Sequence, residues 1–423
     1  MNKIYNKLFD ETYYKEILDN GLTVTIISKP DFLTTTACFA TPYGSLNVNQ
    51  KIDNIKKRYN PGIAHFLEHK LFENEGKDVL SQFSELGANV NAFTSYRETV
   101  YYFSKTGDDI ETSLNLLLDF VQELDITFES VEKEKGIIIE ELSMYLQNPD
   151  IQLVNETYKS LYSYYPLKFD IGGDADSIKK ISKEELEDCY NLNYHPSNMQ
   201  LVIVSPIDPE KLLNIIKNNQ NKKNFLKQNR PIADNSIEPL EVFRKEHTLS
   251  MDVTKGKTCY AIKINPDFKD NLDAHKKELA VTMYLNCYFS PINPNYQKWL
   301  DENLINDFFG FEVSFNSEAA NILFYMESDN KDVLKQLIDD ELKNDLVNDE
   351  IIEQIKRRML GASFKVFNDI EDFATGYIRD LINDVDYFEV INNIKNINAT
   401  QIKSIFKSLD LSNYSIVHIS KRK

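Results

Sequence analysis

Apolar and polar positions along the chain form two similar series of elements. In the first half, runs rich in β-branched and aromatic residues alternate with stretches whose apolar residues recur every three to four positions. The predicted strands cover 22–27, 34–40, 89–103 as a hairpin, and 199–204. The predicted helices cover 60–71, 78–86, 109–147 with an interruption near 125–127, and 183–192. Residues 1–20 form a polar leader before the first strand.

The second half repeats the order of strands followed by helices. Its predicted strands cover 253–264, 310–325 and 414–419, and long helices are expected between 331 and 384. Apolar periodicity fades in between, in a stretch that contains Pro231. We therefore predict an α+β protein of two similar domains, each a mainly antiparallel sheet packed against helices. The expected bounds are 1–219 for the first domain, 220–238 for a linker and 239–423 for the second domain.

Charge and composition exclude several classes of partner. The chain has 66 acidic and 48 basic residues, a formal net charge of −18. It is therefore a poor candidate for binding nucleic acids or anionic membranes, which require clustered cationic charge. No apolar stretch approaches the ~18–20 residues that span a bilayer. The first twenty residues carry no apolar signal region, and the four cysteines lie far apart. We therefore expect a cytoplasmic protein with reduced thiols.

The segment His65-Phe66-Leu67-Glu68-His69 carries the clearest chemical signal. Asn60-Pro61 predicts a helix start, with Asn60 as the cap. On that helix His65, Glu68 and His69 share one face, because they stand at positions i, i+3 and i+4. Two imidazoles one turn apart can ligate a zinc ion, and the carboxylate between them can polarise a bound water. This is the H-x-x-E-H order of inverzincins.

A catalytic zinc requires a third protein ligand, and the helix that begins near 128 offers glutamates. Val131, Ile138 and Leu142 form its apolar stripe, and Glu134 and Glu141, seven residues apart, lie along the edge of that stripe. We expect Glu141 to be the third ligand. We expect Glu134, two turns earlier, to assist catalysis as a hydrogen-bonding partner of a ligand.

These residues resemble the insulinase/pitrilysin metallopeptidases, a family that includes mitochondrial-processing-peptidase-like members. The resemblance rests on segments 61–69, 87–94 and 194–199 and on the helix with Glu134 and Glu141. It spans about residues 18–205. The sequence looks most like the short bacterial members, in which two subunits make a clamshell.

The resemblance implies a zinc endopeptidase, with one zinc per chain, that acts on unfolded or precursor peptides inside an enclosed chamber. His65, His69 and Glu141 match the family's metal ligands, and Glu68 matches its general base. Asn91, Ala92 and Phe93 match an edge strand to which the substrate adds as a further strand. Such recognition depends on the backbone and is largely independent of side chains.

One segment departs from the family pattern. Members usually supply an Arg and a Tyr from a second-half segment, and the matching stretch here, 299–308, has Asp301 where the Arg should stand and no Tyr at the expected place. We therefore expect a homologous partner subunit that supplies both residues, in a heterodimer or else a homodimer. The alternative is a non-catalytic peptide-binding or scaffolding subunit with a structural zinc, although Glu68 would then have no role.

Overall fold

The β-branched runs of the first half build a seven-stranded sheet. The computed structural model describes residues 1–74 and 77–422. The strands of this half are β1 Asn2–Asn6, β2 Glu11–Ile17, β3 Thr23–Ser28, β4 Thr34–Thr41, β5 Asn49–Ile52, β6 Ile55–Arg58, β7 Glu73–Asn74, β8 Lys77–Asp78, β9 Asn89–Thr94, β10 Thr99–Thr106, β11 Gln200–Ser205 and β12 Ile232–Ala233. The main sheet has the order β1-β2-β3-β11-β4-β10-β9, and β12-β5-β6 and β7-β8 form two small sheets. In the main sheet only β3 and β11 pair in parallel.

The prediction that the first strand begins at residue 22, after a polar leader, is wrong, because two strands precede it. Strands β1 and β2 pair with each other, and β2 pairs with β3, so this segment extends the sheet at one edge. The reason lies in the alternation within β2, where Thr12 and Tyr14 are half-buried and Tyr13 is buried. A period of two on a polar background is enough to pair with an existing strand.

The described part of the first half forms eight α-helices. They are α1 Ile63–Leu71, α2 Val79–Glu85, α3 Glu111–Val121, α4 Phe128–Leu146, α5 Pro149–Leu161, α6 Ala175–Lys180, α7 Lys183–Asn193 and α8 Pro209–Gln220, with a 3-10 turn at Pro166–Lys168. Apolar residues of α1, α3 and α4 pack with β3, β4 and β10 in one buried cluster. This cluster fixes the helices that carry the predicted site.

The second half repeats the same arrangement with five strands. These are β13 Glu246–Met251, β14 Lys257–Ile264, β15 Gly310–Phe315, β16 Ala320–Glu327 and β17 Tyr414–Lys421. Their order is β13-β17-β14-β16-β15, and β13 and β17 pair in parallel. The first sheet shows the same pattern in β3-β11-β4-β10-β9. The α+β class and the repeated antiparallel architecture are therefore confirmed.

Two helices are exchanged between the halves of the sequence. The second half contains α9 Asn271–Tyr288, α10 Tyr296–Asp301, α11 Asp332–Glu341, α12 Asp349–Val366, α13 Ile370–Ile382, α14 Tyr387–Asn396 and α15 Ala399–Lys407. Helix α13 packs on β4 and β11 of the first sheet, whereas α5 packs on β14 and β17 of the second. One compact unit accordingly comprises Met1–Leu142, Asp170–Asn235 and Lys365–Asn383, and the other comprises Ser143–Phe169, Ser236–Phe364 and Asp384–Lys423.

The segment between the halves is held at both ends. Strand β12 pairs with β5 in the first unit. In the second unit the Glu238 carboxylate accepts hydrogen bonds from the backbone N–H groups of residues 163, 164 and 165. It also forms an ion pair with buried Lys263. The domain bounds 1–219, 220–238 and 239–423 stay a prediction, and the compact units differ from them by the exchanged segments.

All four cysteines are buried and unpaired, as expected of reduced thiols. Among the helices in the described parts of the chain, none combines the length and apolarity that crossing a bilayer requires.

Candidate metal centre

A glycine contact sets where α1 begins. The helix starts at Ile63, after Gly62 with φ 91°, so the prediction of Asn60 as the cap is wrong. Asn60 instead bonds the Glu185 carboxylate through its backbone and side-chain nitrogens. A Cβ on Gly62 would lie 2.4 Å from the carbonyl oxygen of Gly172. The loop around Gly172 therefore packs directly against the start of the helix, and only glycine at position 62 permits this.

The faces of α1 divide as the sequence spacing predicts. Ile63, Phe66 and Leu67 are buried in the core cluster, whereas His65, Glu68 and His69 are partly accessible. The Nε2 atoms of His65 and His69 lie 3.2 Å apart. Both imidazoles thus present the same ring nitrogen to one point beside the helix.

Helix α4 brings Glu141 to that point. Its Oε1 lies 3.9 Å from Nε2 of His65, and its Oε2 lies 3.6 Å from Nε2 of His69. Among residues 1–74 and 77–422, these three form the one group of three His, Cys, Asp or Glu side chains whose ligand atoms all lie within 4.8 Å of one another. Glu140 next to Glu141 is exposed, as its place on the helix predicts.

The donor set fits zinc. Ligand atoms of a tetrahedral zinc lie about 3.3 Å apart, because each is about 2.0–2.1 Å from the metal. The three separations of 3.2, 3.6 and 3.9 Å approach this value. Two imidazoles with one carboxylate are also a donor set of catalytic zinc sites, which leave a fourth position open.

Glu134 holds His69 from the opposite side of the ring. Its Oε1 lies 3.0 Å from Nδ1 of His69, and the carboxylate is almost fully buried. Burial disfavours the charged imidazole, but this hydrogen bond raises the pKa of His69. Burial also disfavours the charged carboxylate, but the same hydrogen bond lowers the pKa of Glu134. A proton held at Nδ1 leaves Nε2 free to ligate, the usual role of a carboxylate behind a metal-binding histidine.

His65 lacks such a partner. Its Nδ1 atom is buried without a hydrogen bond to any described residue, and burial, followed by the charge of His69, lowers the pKa of its imidazole. A lowered pKa favours the neutral ring that a metal needs. Packing against the Gly172 loop orients this side chain, since a Cβ on Gly172 would lie 3.5 Å from the Nδ1 atom.

Thr94 is a residue that the sequence analysis did not single out for a role. Its hydroxyl donates to Oε2 of Glu68 over 2.5 Å. Thr94 ends strand β9, so the hydrogen bond ties the carboxylate of α1 to the neighbouring strand. The only signal in the sequence was its place at the end of the segment 87–94.

The predicted substrate-binding residues lie on the last strand of the main sheet. Strand β9 pairs with β10 on one side only, and Asn91 on it is exposed. The backbone N–H of Ala92 donates to the Asn91 side chain over 2.9 Å. The ring of Phe93 packs near Tyr102. The guanidinium carbon of Arg379 lies over the Phe93 ring, 5.5 Å from its centroid. The strand therefore offers an edge to which another strand can add.

Sequence profiles of known families match both halves of the chain. The profile described as insulinase, peptidase family M16, matches residues 55–174, which include His65, Glu68, His69 and Glu141. The profile of the M16 inactive domain matches residues 180–359. An uncharacterized zinc protease, YmfH of Bacillus subtilis, is 35% identical over 402 residues, covering 94% of each chain. This protein therefore belongs to the M16 insulinase family of peptidases.

Two further relatives place the chain within the family. A putative M16-like peptidase from Alicyclobacillus acidocaldarius has a crystal structure that covers 97% of this chain and 99% of its own, with a TM-score of 0.91 and 29% identity. The mitochondrial-processing peptidase subunit beta of Saccharomyces cerevisiae is 29% identical over 200 residues, 46% of this chain and 42% of its own. The resemblance inferred from the motifs is thus confirmed.

Loss of one ligand should abolish metal binding without unfolding the chain. We expect purified wild-type protein to hold about one zinc, and we expect His65→Ala and Glu141→Ala each to weaken zinc binding by more than about 100-fold. Metal analysis and chelator competition measure this effect. His247→Ala, at a histidine outside the group, is the matched control and should keep its zinc. Full zinc binding in both ligand variants would contradict the assignment.

Proposed function

We propose that this protein is a zinc-dependent endopeptidase that hydrolyses unfolded or precursor peptides, as the catalytic subunit of a two-subunit assembly. The observation that carries the proposal is the convergence of His65, His69 and Glu141 beside Glu68. A zinc ion that only stabilised the fold would need four protein ligands and no general base. Three ligands with an adjacent carboxylate support catalysis instead.

Each side chain has a task that follows from its position. Bound zinc would polarise the scissile carbonyl and lower the pKa of a water molecule. Glu68 would take the proton from that water and return it to the departing amine. The Thr94 hydroxyl fixes the Glu68 carboxylate, and Glu134 fixes the His69 ring. Both contacts restrict the motion of these side chains, and the rate of hydrolysis depends on how precisely they are positioned.

The substrate would add to the free edge of β9. Its residues alternate between the two faces of the sheet, so a peptide paired with Asn91, Ala92 and Phe93 would be read mainly through its backbone. The strand ends at Thr94, which bonds Glu68. A peptide extended along β9 is therefore led toward the general base. An unfolded peptide has backbone N–H and C=O groups available for this pairing.

Replacing the general base should separate binding of the metal from hydrolysis. Glu68→Gln should keep zinc and lower kcat on an unstructured fluorogenic peptide by ~100-fold or more, because the amide cannot take a proton. Metal analysis and a rate assay of the same sample measure both quantities. Glu140→Gln, at the exposed glutamate beside Glu141, is the control and should leave both unchanged. Wild-type turnover in Glu68→Gln would remove Glu68 from the mechanism.

A proline in the edge strand should weaken substrate binding. Ala92→Pro removes a backbone N–H from β9, so we expect KM for an extended peptide to rise about tenfold while zinc content is unchanged. Ala92→Gly keeps the N–H and is the matched control. If both variants show the wild-type KM, the peptide does not pair with this strand.

A second subunit would complete the site. Asp301 lies at the end of α10, and the resemblance to the family implies an Arg at about this position. The name of one relative, a processing-peptidase subunit beta, supports an assembly of two chains. We expect a homologous chain that carries the Arg and Tyr to raise kcat by ~100-fold, because it supplies donors to the oxyanion. The same partner with that Arg changed to Ala is the control.

One result would contradict the hypothesis of a second, different subunit. If this chain alone forms a homodimer and the partner adds nothing to its rate, no heterologous subunit is needed. Size-exclusion chromatography with light scattering identifies the assembly, and the rate assay is run on each isolated species.

A further inference from the structure

A lysine occupies a core position on the metal-binding helix. Lys70 is fully buried, with 0% of its surface exposed. It continues the inward face of α1, where Ile63, Phe66 and Leu67 are apolar. The spacing of this face would place an apolar residue at position 70. A buried ammonium at such a position is costly unless partners hold it.

The partners of Lys70 come from α4 and from β7, just after the end of α1. Its Nζ lies 3.9 Å from Oε2 of Glu134 and donates to the backbone carbonyl of Ser130 over 3.4 Å. It also pairs with Glu73, whose side chain is 43% exposed. Ser130 and Glu134 are four residues apart, so the ammonium contacts one turn of α4.

The two oxygens of Glu134 therefore have different neighbours. Oε1 lies beside Nδ1 of His69, and Oε2 faces Nζ of Lys70. The carboxylate is 7% exposed, and an ionised group in such a place needs charge compensation on more than one side. The Lys70 side chain therefore helps to hold the carboxylate in the orientation that aims Oε1 at His69.

We propose that Lys70 is a positioning residue of the metal centre, which docks α4 on α1 and holds Glu134 against His69. The inference rests on the proposed function, because it assigns a role toward the same zinc. Glu141 lies two turns beyond Glu134 on α4, so the placement of Glu134 also constrains where the third ligand stands. Lys70 is not one of the three candidate ligands, and it acts through Glu134.

The test compares zinc affinities of apoprotein variants. Lys70→Met keeps a long side chain without charge, and we expect the dissociation constant for Zn²⁺, measured by competition with a chromophoric chelator, to rise about 10–100-fold. The visible spectrum of the Co²⁺-loaded protein should change as well, since His69 loses its fixed orientation. Glu73→Gln removes only the exposed partner and is the matched control, which should stay within about threefold of wild type.

A double-mutant cycle separates positioning from general stability. If Lys70 acts through Glu134, Lys70→Met should change zinc affinity by less than about threefold in a Glu134→Gln background. Should Lys70→Met fail to fold, Lys70→Arg and Lys70→Gln decide the question in the same assay. Arg keeps the charge and is expected to keep most of the affinity, whereas Gln is expected to lose it.

Two results would overturn the proposal. One is a wild-type zinc affinity and Co²⁺ spectrum in folded Lys70→Met, or in Lys70→Gln where Met does not fold. The other is an equal loss on Lys70→Met with and without Glu134. A wild-type protein that binds no zinc at all would instead contradict the proposed function, so the two failures can be distinguished.

Discussion

The site depends on one contact between two helices, the meeting of α1 and α4 at His69 and Glu134. These residues are 65 positions apart in the chain and 3.0 Å apart in space. Closing such a loop costs conformational entropy, which the hydrogen bond alone does not offset. The apolar residues of the two helices share one core cluster, and their burial supplies the missing free energy. The candidate metal centre thus lies beside the apolar contact between α1 and α4 and depends on it.

The described part of the second half repeats the architecture without a comparable group of metal-ligating side chains. Its sheet has the strand order of the first sheet, and β15 is an edge strand as β9 is. Helix α9 occupies the corresponding place between β14 and β15, but it has no pair of histidines four residues apart. The same architecture can therefore occur without the metal-ligating side chains, since a site consists of a few side chains placed on a fold.

Features with a local signature were predictable, and features that depend on distant partners were not. His65, Glu68 and His69 were brought together by helical spacing, and Glu141 by its place beside the apolar stripe of α4. The hydrogen bond from Thr94 to Glu68 joins a strand to a helix, and no periodicity relates them. The start of α1 was misplaced because the contact between Gly62 and Gly172 spans more than a hundred residues. Likewise, α13 was assigned to the second half by sequence order, although it packs on β4 and β11 of the first sheet.

Charge links occupation of the site to the stability of the fold. Glu68, Glu134 and Glu141 surround two imidazoles, and each of these carboxylates acts on the charge state of His69. Lys70 compensates for one of them. Like charges brought together in a partly buried space repel one another. A divalent cation at the candidate site would relieve this repulsion, and because it would bind the folded chain in preference to the unfolded one, it would stabilise the packing of α4 on α1. The interface that builds the candidate site would in turn be strengthened by the ion.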